Sequence, residues 1–266
     1  MGTYAIVDLP GGKDYETYKY MRSLEEKLSD YIEDSEVSNI NRHAGERPVR
    51  LSEETLEVIK KALYVSRMTD GAFDITVGAL TIRAKRLKEI SQDQANKLID
   101  YRKVKTFDEK VFLEEKGMAI DLGGIGKGYA VQKAYEYIKT PWGFISIAGD
   151  MKVWGHRRLV GIYNPATGGV LMEGINKKDL CLSTSGNYFR EHIVGKTNSL
   201  LQVSVVHTDC TLADALSTAI FAMDDREREE FLRKHQDIGF LLLFKDGSVY
   251  YNREFFDNFE VIIFKD

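Results

Sequence analysis

The chain has 266 residues, a formal net charge of −4, 43% hydrophobic and 29% charged residues, an ordinary globular composition with material for a large core. Lysines and arginines are interspersed with a small excess of acids, which argues against a nucleic-acid partner. No run of about 18 apolar residues is present, so no membrane-spanning helix is expected.

In chain order, residues 1–9 have the alternation of a strand and lack the pattern of a secretory signal. Residues 15–31 carry Tyr18, Met21, Leu24, Leu28 and Tyr31 three and four apart, which predicts an amphipathic helix. A polar connection over 33–50 leads to a second helix with Ser52 as N-cap, an apolar face of Leu56, Ile59, Leu63 and Met68, and a stop at Asp70-Gly71. Two short helices, 77–90 and 91–100, and a hairpin of 104–107 with 111–113 follow. Residues 129–138 continue as a helix to Thr140-Pro141. Strands are then expected at 144–147, 151–154, 159–162, 180–183 and 202–207, helices at 212–221 and 226–235, and strands at 239–244, 248–251 and 261–264. Helices gather early and strands late without βα alternation, so the expected class is α+β with mixed or antiparallel sheets, as one domain or two closely packed lobes over 1–266. Cys181 and Cys210 have no C-x-x-C or histidine pair beside them and read as buried thiols, with one bridge between them left open.

The most informative stretch is Ala119-Ile-Asp-Leu-Gly-Gly-Ile-Gly-Lys-Gly-Tyr-Ala130. It reads as a short apolar strand ending in an acid, then four glycines and a lysine before a helix. Gly123, Gly124, Gly126 and Gly128 would let the backbone approach a ligand and take positive φ, and the helix start would offer free N–H groups to an anion. The stretch fails as a Walker loop, because Asp121 stands where the first glycine belongs and Gly128 where the hydroxyl belongs. It fails as a dinucleotide fingerprint because the third glycine comes one place early. An acid at a phosphate turn suggests a divalent metal or a contact to a ligand N–H or hydroxyl. Farther on, Asp214 and Thr218 lie one helical turn apart on one face, a carboxylate and a hydroxyl that suit a hard cation such as magnesium.

Seven ordered blocks resemble the ApbE family of flavin transferases across almost the whole chain: Met1-Gly2-Thr3, Ser29-Asp30-Tyr31, the stretch at Ser38, Asp70 to Gly78, Asp121 to Ala130, Thr184 to Tyr188 and Ala213 to Thr218. The pattern departs at His192-Ile-Val-Gly-Lys-Thr-Asn198, which lacks an Asp-Pro pair. The resemblance implies a T-fold-type architecture and transfer of FMN from FAD to a threonine of an acceptor flavoprotein. It assigns FAD binding to Met1, Tyr31, Ala72, Phe73, Asp74, Asp121, Lys127, Ile193 and Val194, and Mg²⁺ binding to Gly124, Asp214 and Thr218. His192 is the expected general base, and Asp214 also counts as catalytic. Members of the family are commonly exported, so a periplasmic or membrane-anchored location is implied. A Mg²⁺-dependent FAD pyrophosphatase and a non-catalytic FAD-binding protein are the alternatives.

Overall fold

Thirteen strands and eight α-helices form among the residues that the computed structural model describes, 3–187, 193–196 and 199–265. The chain opens with β1 (Ala5–Asp8) and α1 (Asp14–Leu28), whose buried Thr17, Met21, Leu24 and Leu28 make one helical stripe; the helix ends before the expected Tyr31, and Tyr18 and Tyr31, expected on the apolar face, are exposed. By its internal packing the chain divides into two units, Arg22–Gly126 and a second made of Gly2–Met21 with Lys127–Asp266.

The first unit holds α2 (Glu36–Arg42), β2 (Val49–Arg50), α3 (Glu53–Met68), α4 (Gln92–Lys97) and the hairpin β3 (Val104–Phe107) and β4 (Lys110–Leu113), with sheet order β2-β4-β3. The expected connection over 33–50 thus contains a helix and a strand. Ser35 caps α2 by accepting from the Ser38 N–H, a local signal hidden in a polar stretch. Ser52 does stand at the N-cap of α3, but its hydroxyl bonds Glu36 and Thr55, not a helix N–H. The helix stops at Asp70 and Gly71, which take φ of 48° and 82°. Residues 77–90 do not form the expected α-helix. A 3₁₀ turn, Ile75–Val77, leads into a π-helix, Ala79–Arg86, and the intervening Gly78 lies against the 119–120 backbone, where a Cβ would sit 2.5 Å from the Ala119 oxygen. The helix expected over 91–100 shortens to α4 because the Asp100 N–H is drawn to the Thr76 hydroxyl at 2.8 Å. Residues 119–121 are not a strand either. The Asn41 amide grips both backbone groups of Ile120, at 3.0 and 2.7 Å, and the Asp121 N–H bonds the Ile75 carbonyl.

The second unit continues with α5 (Gly126–Ile138), β5 (Gly143–Ile147), β6 (Asp150–Trp154), β7 (Leu159–Asn164), β8 (Gly169–Asn176), β9 (Leu180–Ser185), β10 (Leu200–His207), α6 (Cys210–Ala222), α7 (Asp225–Lys234), β11 (Gly239–Phe244), β12 (Val249–Tyr251), α8 (Arg253–Phe256) and β13 (Phe259–Phe264). A seven-stranded sheet runs β1-β5-β6-β9-β10-β11-β12 and a three-stranded one β13-β8-β7, each pair antiparallel. Alternation along the strands sorts the two faces of the larger sheet. Val153, Leu180, Leu182 and Val206 join Val160, Ile162, Met172 and Phe259 in the core shared with the smaller sheet. Asp150, Lys152 and Trp154 of β6, with Cys181, Ser183 and Ser185 of β9, point the other way, toward α5 and α6. β8 was not expected from the sequence, since glycines punctuate it. Gly174 is needed there because a Cβ would meet the Phe259 ring at 2.7 Å.

Cys181 and Cys210 are not free thiols: they form a disulfide that ties β9 to the first residue of α6. The Cα atoms stand 5.0 Å apart because Lys152 and Cys181 are register partners and α6 begins beside them. Replacing both by alanine is expected to cost about 3.6 kcal/mol, the loop-closure entropy of a 29-residue separation. Urea unfolding checks this, and a variant as stable as the parent would rule it out. Among the described residues, no helix is long and apolar enough to cross a membrane.

Candidate active site

In the second unit, α6 is capped by Asp209, whose carboxylate accepts from the Thr211 and Leu212 N–H groups. One turn on, Asp214 is only 1% exposed in a helix of small apolar residues. Gly128, in the first turn of α5, donates its N–H to Asp214 Oδ2 at 2.8 Å. A carboxylate thus takes one of the N–H groups that a helix start leaves without an intrahelical partner. Gly128 has to be glycine for a packing reason. A Cβ would stand 2.2 Å from the Cys210 carbonyl oxygen and 2.5 Å from Asp214 Cβ. Neither it nor Gly123, Gly124 or Gly126 takes the positive φ expected from the sequence. What the turn uses is the absence of a side chain.

Lys127 meets two carboxylates. Its Nζ is 2.7 Å from Asp150 Oδ2 and 3.5 Å from Asp214 Oδ1. Asp150, 2% exposed, opens β6 after the turn Ala148-Gly149, whose φ values of 50° and 97° suit a two-residue hairpin. Its other oxygen accepts a short hydrogen bond from Ser183. Burial opposes the charge of Lys127, but Asp150 and Asp214 outweigh it and hold the ammonium above its ordinary range. Burial, then the Asp150 charge, push Asp214 up to about 7, against the pull of Lys127 and the Gly128 N–H. With both acids ionised, two buried carboxylates share one ammonium and one negative charge is left over.

Hydroxyls continue from this cluster. Ser183 reaches Ser217 at 3.3 Å, Ser217 reaches Ser185 at 2.8 Å, and Ser185 reaches Thr218 at 3.2 Å. It is Ser217, not Thr218, that bonds back to the Asp214 carbonyl, at 2.9 Å. Thr218 is thereby left in the hydroxyl chain. Ile193 is anchored by Asn187, whose side-chain amide bonds both its N–H and its carbonyl, at 3.0 and 3.1 Å, and Val194 beside it is half-buried. His192 and Met1 lie outside the described residues.

In the first unit, Asp121 accepts from the Thr81 hydroxyl at 2.7 Å and from the Gly123 N–H at 2.8 Å. Asp30 pairs with Arg86 at 2.6 Å, and the Arg86 guanidinium covers the exposed Tyr31 ring at 4.0 Å. Burial, followed by repulsion from Asp121, raises the Asp30 carboxyl above its ordinary range despite Arg86. Ala72 and Gly124 are half-buried, and Phe73 is buried. Asp74 spends its oxygens locally, on the Thr76 N–H and hydroxyl and on the Tyr101 N–H at 2.9 Å.

The sequence therefore points to Lys127, Asp214 and Thr218, which the second unit brings into one cluster. Ser183, one of three successive hydroxyls that the sequence places at a strand end, joins it, and Asp150 and Ser217, absent from the sequence-based candidates, complete it. The signal for Asp150 and Ser183 is the period-2 pattern of β6 and β9, legible once the strand that starts at Asp150 is aligned with its neighbour, whereas Ser217 follows from the helical spacing to Asp214.

The model of the ApbE family matches residues 1–242. The FAD:protein FMN transferase of Vibrio cholerae is 27% identical over 299 residues, covering 97% of this chain and 89% of the relative. That of Chlamydia pneumoniae is 29% identical over 247 residues, covering 80% and 76%. The crystal structure of the ApbE protein of Thermotoga maritima superposes with a TM-score of 0.84 at 26% identity, covering 98% and 97% of the two chains. The flavin transferase ApbE from Vibrio cholerae shares the fold with a TM-score of 0.83 at 22% identity, covering 97% and 96%.

Proposed function

Because the chain belongs to the ApbE family, we propose that it is an FAD:protein FMN transferase, moving FMN from FAD to a threonine hydroxyl of an acceptor flavoprotein and releasing AMP. The observation that carries this is the buried excess of negative charge at Asp150, Lys127 and Asp214, set beside a row of hydroxyls. Such a cluster calls for a cation.

The donor set fits Mg²⁺. It is made of hard oxygens, the Asp214 carboxylate with the Thr218 and Ser217 hydroxyls, and among the described residues one Asp214 oxygen is met by the distant lysine alone. Among the described residues, no group of three or more His, Cys, Asp or Glu is placed to hold a metal. A partial protein shell completed by water and substrate phosphate is the habit of magnesium. When bound, the ion neutralises charge on the pyrophosphate and on the departing AMP.

The chain's own residues do the rest. Lys127 lends its ammonium to the pyrophosphate oxygens as charge shifts toward the leaving group. The acceptor oxygen forms a bond to the FMN phosphorus, the bond from that phosphorus to the AMP oxygen breaks, and the hydroxyl proton passes to His192 as general base. Gly124, Asp121, Tyr31 and the segments at Ala72–Asp74 and Ile193–Val194 keep the roles that the family resemblance implies, as does Met1.

The protein incubated with FAD, Mg²⁺ and an acceptor carrying the target threonine is expected to give flavin fluorescence that stays with the acceptor on a denaturing gel. Free FMN and AMP without an adduct would mean water is the acceptor. Intact FAD after prolonged incubation would leave binding alone.

A further inference from the structure

We infer that Asp150 is a positioning residue, which draws the Lys127 ammonium away from Asp214 and so keeps one oxygen of that carboxylate open to a divalent cation. This rests on the proposed cation site at Asp214. Of the two Asp214 oxygens, Oδ2 already accepts the Gly128 N–H, which leaves Oδ1 the less committed of the two for a cation. Lys127 is the competitor for that atom. It stands 3.5 Å from Oδ1, the outer limit of a contact, because it is seated 2.7 Å from Asp150 instead.

Asp150 is built for that task. It is buried, its Oδ2 makes no hydrogen bond beyond the lysine ion pair among the described residues, and its Oδ1 is fixed by Ser183. Ser183 in turn stands in the hydroxyl chain that ends at Thr218. Were Asp150 neutral, the partly buried ammonium would have one carboxylate left as counter-charge. It would close on Asp214 Oδ1, and a cation would have to displace it.

The test is Mn²⁺ binding to the full chain without FAD, followed by the paramagnetic resonance of free Mn²⁺. D150N is expected to weaken binding about tenfold, and K127M to remove that penalty, so that K127M and K127M/D150N bind alike. S183A leaves all three charges in place and is expected to weaken binding about threefold, again only while Lys127 is present. It also carries the test should D150N fail to fold, which thermal melting reports. Two results overturn the inference: D150N binding as well as the parent, or D150N weakening binding equally with and without Lys127, which is what a plain charge effect would give. A distinct outcome, D214N binding Mn²⁺ as the parent does, or a parent that binds none, overturns the cation site itself.

Discussion

Replacing Asp214 with asparagine is expected to abolish covalent FMN transfer, by roughly three orders of magnitude or more, while leaving the protein at least as stable as before. The two halves of this expectation have one cause. Asp214 is a buried acid beside a second buried acid, with one lysine between them, and its raised proton affinity records the cost of keeping it charged. Asparagine keeps the shape and can still accept the Gly128 N–H. It removes the repulsion and leaves Lys127 paired with Asp150, so the melting temperature should hold or rise, by about 1 kcal/mol in stability. Activity should be lost because a neutral amide no longer draws a cation to the hydroxyls of Ser217 and Thr218. A transfer assay and a melting curve on one sample check both halves. Transfer within tenfold of the parent would remove Asp214 from the mechanism, and a large fall in melting temperature would make its role structural.

Gly128→Ala is expected to have the second large effect, opposite in sign to what helix propensity predicts. In an open helical position the change would favour the folded state by up to about 1 kcal/mol. Here the new methyl would lie 2.2 Å from a backbone oxygen and 2.5 Å from Asp214 Cβ, neither of which can swing aside. α5 must withdraw from α6, the Gly128–Asp214 hydrogen bond lengthens, and a cost of roughly 3 kcal/mol is expected, with loss of transfer. Gly126→Ala is the control. Nothing lies within 4 Å of its Cβ, so that variant should be neutral or slightly stabilised. Denaturant unfolding of the pair separates the packing account from a general need for glycine in this turn, which equal destabilisation of both variants would indicate.

These glycines show how far a sequence can be read. Gly126, Lys127 and Gly128 read as the start of a helix with a charge to offer, and a helix does begin at Gly126. In the sequence alone, Gly128 reads as room for a ligand to approach the backbone. The structure shows approach to another helix, from a residue 82 positions away at Cys210. Periodicity has no access to that contact. The same holds for Asn41, which closes on Ile120 across 79 residues and replaces the expected strand pairing with hydrogen bonds to a side chain.

What the sequence determined by itself was local or ordered along the chain. It supplied the helical stripes of α1 and α3, the stop at Asp70-Gly71, the α+β class with antiparallel pairing, the ordered blocks shared with a family, and the one-turn spacing of Asp214 and Thr218. Each depends on neighbours within a few residues or on order alone. Tertiary structure decided which side chains meet: Asp150 with Lys127, Ser183 with Ser217, Cys181 with Cys210. Those pairings depend on which strands lie side by side and in what register. A shift of one residue would turn Asp150 and Ser183 to the opposite face of the sheet, into the apolar core.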